Sequence, residues 1–136
     1  MKLKRKIFLL PLLLIAVAFL SFRPEISGSN PGTMTFTEVK YNFGFIHQGD
    51  VVEHDFTFTN TGDEPIVITD AEVACKCTTT DFPKAPIAKG QTGIIKVTFH
   101  SENAIDRQER TVIVKSSASN SPVTLTYKCV VLKKKS

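Results

Sequence analysis

The chain has 136 residues, with seventeen Lys and Arg, thirteen Asp and Glu, three cysteines and no tryptophan. Four of the basic residues crowd into the first six positions, and from Arg23 onward acids and bases balance, so the charge is not a nucleic-acid footprint. The length beyond the first 22 residues suits one domain with a single core.

Lys2, Lys4, Arg5 and Lys6 precede an uncharged run from Ile7 to Leu20. Such a run suits the apolar region of a signal peptide and falls short of the ~20 residues of a comfortable membrane span. Positive charge stays on the cytoplasmic side, so this order delivers the remainder of the chain outside the cytoplasm. Residues 1–22 are therefore expected to be a signal peptide or an N-terminal anchor helix, and the domain to lie in the periplasm or cell envelope. Ala16-Val17-Ala18 meets the small-x-small rule for cleavage, but cutting there leaves Phe19 first, so a retained anchor stays open. Membrane contact is expected only through this segment, if it is uncleaved. No cysteine follows the run closely, which excludes a lipid-attached cysteine. Residues 23–33, RPEISGSNPGT, lack any apolar period and read as a flexible tether.

From Met34 no stretch has the period of an amphipathic helix. Short β-branched and aromatic runs alternate with turn residues about every ten positions, the pattern of a sandwich or barrel. Met34 to Val39 and Tyr41 to Ile46 are expected to form a first pair of strands, with a kink or bulge at Gly44. His47-Gln48-Gly49-Asp50 is a turn. Val51 to Asn60 places Val52, Phe56 and Phe58 on one face and Glu53, Asp55, Thr57 and Thr59 on the other. Asn60-Thr61-Gly62-Asp63 is turn chemistry, with Asn and Gly suited to positive φ.

Pro65 to Thr69 opens the next strand. Its apolar parity then slips by one, because Ala71, Val73, Cys75 and Cys77 continue the inward face, so a bulge is expected near Thr69-Asp70. Thr78 to Gly90, with Pro83 and Pro86, reads as a loop between sheets. Gly93 to Phe99, Arg110 to Lys115 and Val123 to Val131 complete about seven strands. None has a crossover helix, so antiparallel pairing is expected. The sandwich is expected over 34–132, followed by a basic tail, 133–136, that reads as solubilising.

Phe43-Gly44-Phe45-Ile46-x-x-Gly49, Phe56-x-Phe58-x-Asn60-Thr61-Gly62, Pro65-Ile66 and Cys75-Lys76-Cys77-Thr78 follow one another in an order that resembles a bacterial family of exported proteins. This is domain-of-unknown-function family 1573, and Pro86-Ile87-x-x-Gly90-x-x-Gly93-x-Ile95-x-Val97 fits it as well. The resemblance spans roughly residues 36–132. Such domains are similar in turn to sandwiches of the Hydin and major-sperm-protein type. The resemblance implies an immunoglobulin-like antiparallel β-sandwich and no particular activity. Two positions depart from it: Lys76 stands where the family usually has glycine, and Lys89 where it usually has proline. A lysine between the cysteines makes a positive-φ turn there less comfortable and favours extended strand. Without tryptophan, the Cys…Trp…Cys framework of antibody domains is absent.

Three cysteines in an exported chain leave an odd thiol, a reduced or metal-bound set, or an intermolecular bridge. On an extended strand Cys75 and Cys77 would lie about 6.6 Å apart, wide of the ~5.5–6 Å a disulfide prefers. Cys129 also points inward by alternation, so a bond from the pair to Cys129 is the easier geometry. Cys75, Cys77 and Cys129 are thus disulfide candidates, and Cys75 and Cys77 are candidate thiolate ligands for a soft metal such as copper or zinc. A redox-active pair is the third reading. His47, His54 and His100 have no metal-ligand spacing, and no hydrolase or phosphate-loop motif is present. The expectation is an exported, non-enzymatic envelope module without a cofactor that binds or scaffolds an envelope protein and no nucleic acid. The alternative is a thiol-based metal carrier or redox protein using Cys75 and Cys77, with Cys129 as third ligand or resolving thiol.

Overall fold

Alternation of apolar and polar residues gives each strand one buried face, and two such faces must be buried against each other. The computed structural model describes residues 28–134. The expected signal or anchor segment, the first residues of the tether and the last two of the basic tail lie outside the described residues. Eight strands follow in order: β1 (Met34–Phe36), β2 (Lys40–His47), β3 (Val51–Asn60), β4 (Ile68–Val73), β5 (Thr78–Asp81), β6 (Thr92–His100), β7 (Asp106–Ser116) and β8 (Val123–Leu132). They form two four-stranded sheets, β1-β3-β6-β5 and β2-β8-β7-β4.

The inner faces meet in one core. Phe56 and Phe58 of β3, Ile95, Val97 and Phe99 of β6, Val112 and Val114 of β7, and Leu125, Tyr127 and Val131 of β8 are all buried there. Both expected irregularities are present. The β2–β8 register shifts between Asn42 and Phe45, where Gly44 takes a φ of 73° that side chains with a Cβ rarely adopt. The β4–β7 register shifts between Ile68 and Asp70, which resets the parity so that Ile68 and Ala71 both face the core.

Three expectations need correction. The segment expected to be a pure loop contains β5, which adds to the β6 edge through Thr78↔Phe99 to Asp81↔Lys96, so the described residues form eight strands where about seven were expected. The run read as a strand pair divides between sheets: β1 pairs with β3, whereas β2 pairs with β8. That β2–β8 pairing is parallel, so the sandwich is not wholly antiparallel. A short crossover was never required, because the whole of β3 to β7 lies between the two strands and supplies the connection.

Backbone hydrogen bonds place the loops at two poles. At one, Gln48 donates to Leu132, Ser101 to Asp50 and His100 to Cys77. At the other, Thr61 donates to Thr33, Ser117 to Val67 and Ser119 to Gly32. From Ser29 on, the segment expected to be a free tether is bonded to the second pole. Asn30 receives the amides of Asp63 and Glu64, and its own amide donates to the Asp63 carboxylate.

Candidate functional site

The chemistry-bearing residues gather at the first pole, where β4 turns into β5. Cys75-Lys76-Cys77-Thr78 is a tight turn in which the Thr78 amide donates to the Cys75 carbonyl at 3.1 Å. The turn brings the Cys75 and Cys77 Cα atoms to 5.2 Å and joins the two side chains in a disulfide. The expected extended strand is therefore replaced by a turn, and the geometric objection to a Cys75–Cys77 bond disappears with it. Cys129 is unbonded and buried on the inner face of β8, not the partner of either. Burial pushes its thiol up, and the nearby Arg110 guanidinium offsets this only in part.

The disulfide is half-buried and carries its own polar contacts. The Cys77 amide donates to Cys75 Sγ at 3.0 Å, and Cys77 Sγ lies 3.8 Å from Thr78 Oγ1. Thr78 Oγ1 and Tyr127 Oη share a buried hydrogen bond of 2.6 Å. Tyr127, fully buried, has its phenol held above the ordinary range by desolvation, against the lowering effects of the Thr78 hydrogen bond and Arg110. Arg110 reaches in from β7 and bonds Gln108 through Nη2 at 2.7 Å, while its Nε is buried without a partner. The Thr78–Tyr127–Arg110 group escaped the sequence reading because it spans β5, β8 and β7. The only hint was an inward tyrosine, whose hydroxyl must find a partner when buried.

A metal would have to compete with the bond between the two sulfurs. Among the described residues no group of three His, Cys, Asp or Glu converges, so Cys129 does not complete a ligand set with the pair. The histidines stand apart. His47 is exposed in its turn, and His100 is tied to the cysteine turn only by its backbone. His54 stacks on Tyr41 with centroids 3.5 Å apart and meets Glu38 at 2.9 Å.

A second feature is the free edge of β2. Phe45 is 75% exposed on the outer face, raised by the Gly44 bulge. Asn42, Gly44, Phe45, Arg107, Lys128 and Val130 line a shallow cavity of about 160 Å³ on the outer face, across β2, β8 and β7. An adjoining depression of about 280 Å³ is bordered by Lys40, Tyr41, Glu109 and Thr126.

Residues 34–131 match the family model described as Protein of unknown function (DUF1573). The chain belongs to that family. No curated protein matches its sequence. Among solved structures, a protein of unknown function from Porphyromonas gingivalis superposes with a TM-score of 0.67 at 11% identity, over 79% of this chain and 50% of that one. The chain thus spans half the length of that protein. The ASH / PapD-like domain 7 of human CEP192 gives 0.60 at 7% identity, over 77% and 89% respectively. The secreted serine protease VesC from Vibrio cholerae gives 0.58 at 16% identity, over 76% of this chain and 24% of that protein. At these identities the likeness shows the fold alone, an immunoglobulin-like sandwich of two sheets.

Proposed function

We propose that the chain is an exported, non-enzymatic module of the cell envelope that binds a partner protein by strand addition along β2. The observation that carries the reading is the β2 edge itself. It is eight residues long and, among the described residues, unpaired on one side, and it carries a 75%-exposed phenylalanine. The competing edges are poorer templates: β1 has three residues and β5 four, while β4 has six and carries Asp70 and Glu72. Strand addition draws affinity from main-chain hydrogen bonds and selectivity from side-chain pockets beside the edge. On β2 itself Phe45 offers apolar contact and Lys40 a positive charge, with Lys128 and Arg107 farther in across the outer face. The fitting partner segment therefore alternates apolar and acidic residues. Export rests on the basic-then-apolar N-terminus and on nothing in the fold.

The experiment is a binding titration with extended acidic–apolar peptides, following backbone amide shifts of the labelled protein. Shifts concentrated on residues 40–46, lost in Phe45→Asp and Lys128→Glu, support the reading. Shifts elsewhere, or binding indifferent to both changes, overturn it. A reporter fused after Ser136 tests export separately: activity confined to the cytoplasm would refute the envelope assignment.

A further inference from the structure

We propose that Cys75 and Cys77 form a thiol–disulfide exchange site that oxidises a dithiol on a partner protein. The inference stands apart from the β2 edge and goes beyond the binding reading. Its starting point is where the disulfide sits. A bond closing a three-residue turn restrains little of the unfolded chain, so it is a poor structural staple. It is half-exposed at the pole opposite Ser29–Thr33, with Cys77 packed against the core on its inner side.

The surroundings favour sulfur anions at both positions. The Cys77 amide already points at Cys75 Sγ, 3.0 Å away, and a backbone N–H stabilises a thiolate once the bond opens. Lys76, exposed between the cysteines, adds a positive charge to the same turn. Thr78 can donate its hydroxyl to Cys77 Sγ when Tyr127 donates to Thr78 Oγ1, completing a chain from buried phenol to sulfur. Burial keeps that phenol protonated and able to donate. Cys129 is buried, its thiol is pushed up despite the nearby Arg110, and it stays outside the reaction.

The exchange balances in two steps. A partner thiolate attacks Cys77 Sγ; a bond forms between them, and the electron pair of the old bond leaves on Cys75 Sγ, under the Cys77 amide. The partner's second thiolate then attacks the partner sulfur of the mixed disulfide, and Cys77 leaves as a thiolate facing Thr78. The partner dithiol has lost two electrons and become a disulfide, and Cys75 and Cys77 have gained them. The two partner protons pass to solvent, from which the cysteine thiolates take protons in proportion to their pKa values.

The test uses the full chain in detergent, reduced dithiothreitol as the small probe and a synthetic peptide with two cysteines as the protein-like probe. Maleimide trapping and mass spectrometry read which thiols open, and the pH profile of iodoacetamide alkylation reads their acidity. Native protein is expected to label at Cys75 and Cys77 but not Cys129 after dithiothreitol, and to convert the peptide to its disulfide mole for mole. At least one of the two freed thiols should titrate below the ordinary cysteine value of ~8.5. Lys76→Ala, an exposed and structurally mild change, should raise that midpoint. Thr78→Val should slow peptide oxidation by roughly 5- to 10-fold, with recovery in Thr78→Ser, each checked for native near-ultraviolet dichroism. A disulfide that opens only on denaturation overturns the proposal. So do freed thiols with ordinary acidity that Lys76→Ala leaves unchanged.

Discussion

Asn60 shows how one side chain can hold a pole of the sandwich together. Sequence chemistry marks it as a turn residue suited to positive φ, yet it ends β3 in ordinary extended backbone and is fully buried. Its Oδ1 accepts from the Thr33 and Gly62 amides, and its Nδ2 donates to the Glu64 and Ile87 carbonyls, so it ties together four backbone groups from three segments. Gly62 likewise serves closeness and not φ, because a Cβ there would sit 2.0 Å from the Pro31 carbonyl oxygen. Turn propensity and burial of a polar hub use the same residue types, which is why the sequence pattern points to the right place for the wrong reason. Asn60→Ala leaves the Thr33 and Gly62 amides without their acceptor and should cost about 2–4 kcal/mol in urea unfolding, whereas a purely conformational role would cost far less. Beside it, the Lys89 side chain and the Asn30 amide hold the Asp63 carboxyl below its ordinary value of 3.8. A lowered folded-state pKa means the contribution is present above the unfolded value and disappears as pH falls through the folded one. The melting temperature gap between the native protein and Asp63→Asn should therefore be open at neutral pH and close in acid below that ordinary value. A gap independent of pH would contradict the assignment.

Among the elements, strands with clear apolar alternation are legible and polar stretches are not. The eleven-residue β7 shows in the sequence only as Arg110 to Lys115, because Asp106 to Glu109 carry no apolar residue. β3, β6 and β8 each carry a period-two apolar pattern over nine or ten residues, and their register follows from it. Even the β4 bulge could be read, from the parity slip between Ile68 and Ala71. β5 could not: Thr78 to Asp81 is a polar edge strand before Pro83, with Thr78 its only buried residue. The β4–β5 turn was misread for a related reason. Alternation extended through Cys77 predicts a strand, while three residues and one 3.1 Å backbone bond suffice to make the turn. The consequence for stability is specific. A bond to Cys129 would have closed a loop of over fifty residues worth ~4 kcal/mol, whereas closing a three-residue turn is worth under about 2 kcal/mol. Cys75→Ser/Cys77→Ser should accordingly unfold in urea with a loss below about 2 kcal/mol and an unchanged slope. A loss near 4 kcal/mol would mean the disulfide anchors more of the fold than its turn.

At the scale of the whole molecule, the sequence pattern supports a sandwich but is silent on which strands neighbour each other. Periodicity tells each strand which face to bury and says nothing about its lateral partner, so the parallel β2–β8 pair and the transfer of the chain from β1 to the other sheet emerge only in three dimensions. The same limit hid the start of the domain. Pro, Gly, Ser and Asn before Met34 read as tether because no apolar period marks them, yet residues 29–33 exchange hydrogen bonds with Asn60, Thr61, Asp63, Glu64 and Ser119. Gly32 is buried where a Cβ would come within 2.7 Å of Ile66 Cγ1, so this segment packs as well as bonds. A chain beginning at Gly28 keeps every one of these contacts, and one beginning at Met34 keeps none. The first should melt as the longer protein does; the second should lose about 2–4 kcal/mol, summed over the exposed Ile66 surface and the freed amides of Thr61, Asp63, Glu64 and Ser119. Equal melting of the two truncations would place the domain boundary at Met34 and make the hydrogen bonds of residues 29–33 energetically idle.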